Sequence, residues 1–247
     1  MSRTALDGLR ARLNLMQPAS RHGVLVFGDA RVDACLGGGL ALGALHEVAA
    51  EGIEAETGAI ATGFLACLLA RLPDRRRPIF WIAPSTDLHT PGLLAYGLDP
   101  GRLVRVRTRD DAETLGAMET VLRGNAACAV VAEAGRLGRT ESRRLQLACL
   151  SRGTTGFVLR RWPYGVKAGV QEPTAAVTRW RLAPSPSAAE FREPGPPRWR
   201  VTLLHARGGM EGGWIMQAGE ADATHPVHVV AELADIAAAP VRRRHAG

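Results

Sequence analysis

Lysine is almost missing from this chain of 247 residues: of thirty-one basic side chains, Lys167 alone is a lysine. A site upstream of that point that grips phosphate must do so without an ammonium group. Cysteine is also sparse. Cys35, Cys67, Cys128 and Cys149 are scattered with no C-x-x-C pair, which argues against a disulfide framework or a zinc ribbon. Three of them lie in apolar stretches and are expected to be small buried hydrophobes. No apolar run approaches the ~20 residues of a membrane span, and Met1–Gln17 alternates charge with leucine instead of forming the apolar core of a signal peptide. A soluble, cytoplasmic protein is expected. Acidic residues are outnumbered, leaving a formal charge of +7, which favours acidic or polyanionic partners.

What is present reads as α/β. Leu6, Leu9, Leu13 and Met16 recur at helical spacing, with Arg3, Arg10 and Arg12 on the outer face, so residues 1–22 are read as an amphipathic N-terminal helix ended near Pro18. Residues 23–217 form the core. Leu36-Gly-Gly-Gly-Leu40 is a tight turn, Leu45–Ala49 a strand, Ala59–Leu69 an apolar helix, and Ile79–Ala83 a buried strand. Leu103–Val106 and Ala126–Ala132 are further strands, and Thr155–Leu159 another. Between them Asp110–Gly124 is a helix with Leu115, Met118 and Leu122 on one stripe, its first-turn acids complementing the N-terminus, and Glu141–Ser151 is a second. This alternation predicts a mostly parallel sheet covered on both faces. Ala176–Leu182 and Trp199–Leu204 then alternate as an antiparallel hairpin around the Pro- and Ser-rich stretch Ala183–Pro197, and Trp214–Gln217 adds an edge strand. Residues 218–247 are read as a basic tail, in which Val229, Leu233 and Ile236 share a helical face ahead of Arg242, Arg243 and Arg244.

The first strand leads into a loop, Glu51–Gly58, where a phosphate-binding loop would read G-x-x-x-x-G-K-[ST]. Here Gly52-Ile-Glu-Ala-Glu-Thr-Gly58 is followed by Ala59 and Ile60, without lysine or hydroxyl. Glu51, Glu54 and Glu56 would repel a triphosphate. In order and spacing, the chain resembles the RecA core. Phe27–Asp33 with the glycine turn is similar to its lead-in, Trp81-Ile-Ala-Pro-Ser-Thr to the strand carrying its catalytic glutamate, and Tyr96–Leu103 to its next helix-to-strand turn. Ala175–Leu182 and Arg198–His205 are similar to its late hairpin. More narrowly, residues Val24–Gln217 resemble the ImuA proteins, RecA-like and SulA-related accessory factors of bacterial mutagenic translesion synthesis.

The resemblance implies a RecA-like α/β fold with degenerate ATPase chemistry. Ser85 stands near the place of the catalytic glutamate, and Ala132 where an Mg²⁺-organising aspartate would lie. The neighbouring Glu133 is either a displaced acidic residue or, as preferred, a surface or capping group. No catalytic residue, cofactor or metal site is expected; His225 and His228 lack further ligands at metal-site spacing. The implied role is a non-catalytic adaptor in a damage-induced, error-prone complex. Its partners would be an ImuB-type Y-family-like protein, RecA or its filament, and an error-prone replicative-type polymerase. A single-stranded DNA-binding module and a SulA-like cell-division inhibitor are the alternatives. For DNA, the candidate residues are Arg160, Arg161, Trp162, Tyr164 and Lys167, where phosphate contact and base stacking would combine. For a protein partner they are Val229, Leu233, Ile236, Arg242, Arg243 and Arg244.

Overall fold

The computed structural model describes residues 21–52, 54–85, 87–161, 173–187, 195–220 and 224–233; the side chains of residues 54–56 are not described. The expected N-terminal helix lies outside these residues, as do Trp162, Tyr164, Lys167, Ile236 and Arg242–Arg244.

A small sheet opens the chain. β1 (Val24–Leu25) pairs antiparallel with β2 (Leu40–Ala41), and α1 (Ala30–Cys35) lies between them. Asp29 caps α1 by accepting from the backbone N–H groups of Arg31 and Val32. The turn that follows needs its three glycines, since Gly37, Gly38 and Gly39 all have positive φ, from 72° to 136°, a region costly to residues with a Cβ.

The main sheet has nine strands: β3 (Leu45–Ala50), β4 (Ile79–Ala83), β5 (Leu103–Arg107), β6 (Ala129–Glu133), β7 (Thr155–Arg160), β8 (Thr178–Ser185), β9 (Arg198–Ala206), β10 (Gly212–Ala218) and β11 (Val227–Glu232). Their spatial order is β11-β10-β9-β8-β3-β7-β6-β4-β5. From β8 to β5 every pairing is parallel, and from β8 to β11 every pairing is antiparallel. β3, β6 and β7 are buried almost throughout, as strands covered on both faces must be. One face carries α2 (Glu54–Ala70), whose Phe64–Leu69 side chains are fully buried against Trp81, Trp180, Trp199 and Trp214. A helix apolar on all sides belongs inside the fold. The other face carries α3 (Asp111–Gly124) and α4 (Arg139–Arg152), with Leu115, Met118, Leu122, Leu145 and Cys149 in the second core. Asp110 caps α3 by accepting from the Glu113 N–H at 2.9 Å. The expected α/β class with a late hairpin is the observed one. Cys67, Cys128 and Cys149 are buried free thiols.

Three local expectations are corrected. α2 begins at Glu54, not after Gly58, because Glu-Ala-Glu-Thr is sound helix-forming sequence and nothing holds it extended. β8 runs through Pro184 and Ser185, which pair with Trp199 and Arg198; proline is tolerated in a strand where no ladder donor is needed. The segment expected as a helix around Val229 is strand β11, so β10 is not the edge. Val227 is buried, His228 exposed, Val229 half-buried and Val230 exposed, the period-two alternation of a strand with one covered face. Among the described residues no helix is long and apolar enough to cross a membrane.

Candidate functional site

The parallel strands β3, β4, β6 and β7 all end on one side of the sheet, the side on which α/β folds place ligands. There the last residue of β6, Glu133, meets the residue just past β7, Arg161. Arg161 donates from Nη1 to Glu133 Oε2 at 2.7 Å. It also grips Asp87, through Nη1 to Oδ1 at 3.1 Å and Nη2 to Oδ2 at 2.7 Å. Trp81, on β4, donates its indole N–H to Glu133 Oε1 at 2.6 Å. Ser85 donates its hydroxyl to Asp87 Oδ1, and the Asp87 N–H returns to Ser85 Oγ at 3.2 Å. One guanidinium thus holds two carboxylates, and both oxygens of Glu133 accept hydrogen bonds.

The two carboxylates respond oppositely to the same cation. The hydrogen bonds from Arg161 hold Asp87 down at about 2. Burial pushes Glu133 above the usual carboxylate range against the pull of Arg161. The side chain of Glu133 is 3% exposed and that of Asp87 is 56% exposed, so desolvation decides the first case and charge pairing the second.

A second pair lies deeper along the same strand ends. Arg160 Nη1 stands 3.7 Å from Glu47 Oε1, and Nη2 donates to the Gly135 carbonyl at 2.8 Å. Both side chains are nearly buried. Burial raises Glu47 and lowers Arg160 from their ordinary values, each opposed by the charge of the other.

Around the expected phosphate loop, Glu51 and Gly52 follow β3 ahead of α2. Glu51 Oε2 is 3.4 Å from Arg200 Nη2, so this carboxylate faces a cation of β9. Ala132 is buried within β6 opposite Ile82 and Val158, and Ser85 is tied to Asp87. Glu133 is neither a surface group nor a cap, because its strand position points it beneath Trp81.

Of the proposed DNA-contacting set, the structure brings Arg160 and Arg161 to the strand ends but spends them on internal carboxylates, with side chains 9% and 18% exposed. A stacking platform at Trp162 and Tyr164 falls outside the described residues. Of the proposed partner set, Val229 packs against the first core. Leu233 lies over Gly213, whose added Cβ would sit 2.6 Å from its Cδ1. Sequence reading missed Glu47 and the pairing of Asp87 with Arg161. The available signal was the match between acids in otherwise apolar strands, Glu47 and Glu133, and two consecutive arginines closing the strand between them.

No family model matches the chain. It is similar to "Protein ImuA" of Caulobacter vibrioides strain NA1000 / CB15N, at 47% identity over 232 residues, covering 90% of this chain and 95% of that protein. The chain belongs to the ImuA family. The same identity and coverage hold for the ImuA protein of Caulobacter vibrioides strain ATCC 19089 / CIP 103742 / CB 15. Such coverage takes in the strand ends with the Arg161 cluster, so the ImuA relationship extends over the region where a RecA-like core would place its chemistry.

Proposed function

We propose that this ImuA-family chain serves the mutagenesis system its family name denotes as a non-catalytic, RecA-like adaptor of an error-prone translesion synthesis complex. The observation that carries this reading is the Arg161 cluster. Phosphoryl transfer relies on positioned cations and a metal-holding carboxylate. At these strand ends the buried acid, Glu133, already has both oxygens engaged by Trp81 and Arg161, and the loop before α2 brings no lysine. The charges that would serve a nucleotide instead tie three strands to one another. In the proposed role the fold supplies surfaces: to an ImuB-type Y-family-like protein, to RecA or its filament, and through them to an error-prone replicative-type polymerase.

The test is purification of the full chain and measurement of phosphate release from ATP with Mg²⁺, in the presence and absence of single-stranded DNA. The expected outcome is release at the buffer background together with direct binding to the ImuB-type protein of the same cell. Mg²⁺-dependent turnover that vanishes in Glu133→Gln or Asp87→Asn sinks the non-catalytic reading. A failure to bind the ImuB-type protein, RecA or the polymerase sinks the adaptor reading.

A further inference from the structure

The outer face of α4 carries two exposed leucines where a surface helix is usually polar. Leu147 is 60% exposed and Leu150 is 39% exposed. Three residues apart, they stand on adjacent turns of one face. Arg139 and Arg143 continue the same stripe toward the helix N-terminus, since positions 139, 143, 147 and 150 follow the i, i+4, i+8, i+11 repeat of a helix. Arg139 and Arg143 have no ion-pair partner among the described residues, whereas the neighbouring Arg144 is committed to Glu119 at 2.5 Å. The opposite face is fully used: Leu145, Ala148 and Cys149 are buried. Gln146 Oε1 accepts from the Leu45 N–H of the central strand at 2.8 Å, and Ser142 Oγ accepts from the Ala175 N–H at 3.0 Å. The exposed leucines therefore sit on a helix fixed to the sheet, and presenting them needs no ordering of the backbone on binding.

We propose that this face is a docking surface for an acidic amphipathic helix of a partner protein. Leu147 and Leu150 receive its apolar stripe, and Arg139 and Arg143 pair with carboxylates flanking that stripe, the helix-against-helix mode of recognition. Charge complementarity selects this occupant. The chain's own N-terminal segment has a leucine stripe too, but Arg3, Arg10 and Arg12 would bring like charge onto Arg139 and Arg143. The inference goes beyond the adaptor reading and stands without it, because it depends on the surface alone.

The probe is a fluorescein-labelled helical peptide with leucines at i, i+4 and i+7 flanked by glutamates, and a twin with lysines in place of the glutamates. Fluorescence anisotropy with the full chain should show binding of the glutamate peptide and at least about tenfold weaker binding of the lysine peptide. L147D/L150D should weaken the glutamate peptide by about tenfold or more with an unchanged melting temperature, and L147A/L150A serves if the aspartates disturb folding. R139E/R143E should reverse the preference between the two peptides. The proposal is overturned if neither peptide binds, if both bind alike, or if the leucine substitutions leave affinity unchanged. It is equally overturned if L9D/L13D in the full chain unmasks tenfold tighter binding, since the N-terminal segment would then be the occupant.

Discussion

Arg161 shows how much one side chain can be asked to hold. It bridges Glu133, which has left water, and Asp87, which has not. Breaking a buried pair from one side leaves an uncompensated charge and costs about 3–5 kcal/mol. Arg161→Ala is therefore expected to lower the urea midpoint strongly, while Glu133→Gln, which keeps an acceptor for Trp81, should cost clearly less; equal losses would show that the charge of Glu133 is not what Arg161 supports. His46 gives a second residue-scale prediction. Its Nε2 must donate to the Ala41 carbonyl at 2.8 Å, so its Nδ1 is the bare nitrogen facing the Thr178 hydroxyl at 2.8 Å. That hydroxyl oxygen in turn accepts from the Trp180 indole at 2.7 Å. Burial holds the imidazole down at about 4 from an ordinary 6.5. Between those values the unfolded chain binds the extra proton and the folded chain does not, so stability is fully present above pH 6.5 and drains as pH falls toward 4. At ~1.4 kcal/mol per unit, the loss is on the order of 3 kcal/mol. Melting curves across that window should show a steeper fall for wild type than for His46→Gln; parallel curves would locate the acid sensitivity elsewhere.

The elements differ in how openly the sequence declares them. β3, β6 and β7 were legible as short, largely apolar runs, and α3 as a stripe of Leu115, Met118 and Leu122 behind acids in its first turn. Their periodicity and their burial have the same cause. The start of α2 was not legible, because an expected phosphate loop overrode the helix propensity of Glu54–Thr57. β11 was misread because Val229 and Leu233 also satisfy a helical spacing; what decides the strand is the free edge of β10, a tertiary fact absent from any short window. The Arg161 cluster was half legible, its arginines and Glu133 named but not paired, since ion pairing across three strands needs the strand order. The β11 assignment makes an element-scale prediction. Ending the chain after Gln217 removes the buried Val227 and the Glu220 carbonyl that accepts from Arg71. It also exposes the edge of β10, which carries the buried Trp214 and Met216. The truncated protein should melt several degrees lower, with a domain this size losing about 2–4 °C per kcal/mol. An unchanged melting temperature would mean that β11 contributes nothing to the sheet's stability.

At the scale of the whole molecule, the sheet is two architectures joined at β8, parallel on one side and antiparallel on the other. The antiparallel half is built wholly from neighbours in sequence; the parallel half is so only at β4–β5 and β6–β7. The middle strand of the whole sheet, β3, is closed by β7 and β8, and the His46–Thr178 contact that links β3 to β8 spans 132 positions. Refolding from denaturant should accordingly be slow for a chain of this length, because loop closure must precede the contacts that reward it; a submillisecond single phase in stopped-flow fluorescence would contradict this. The same arrangement sets a timetable during synthesis. β3 leaves the ribosome early, with both edges open, and waits until β7 has been made before either flank is covered. At ~5–20 residues per second, that wait lasts several seconds at least. A cell making this protein in a burst would expose many such unfinished edges at once, so its yield should depend on chaperone capacity more than on the stability of the finished fold.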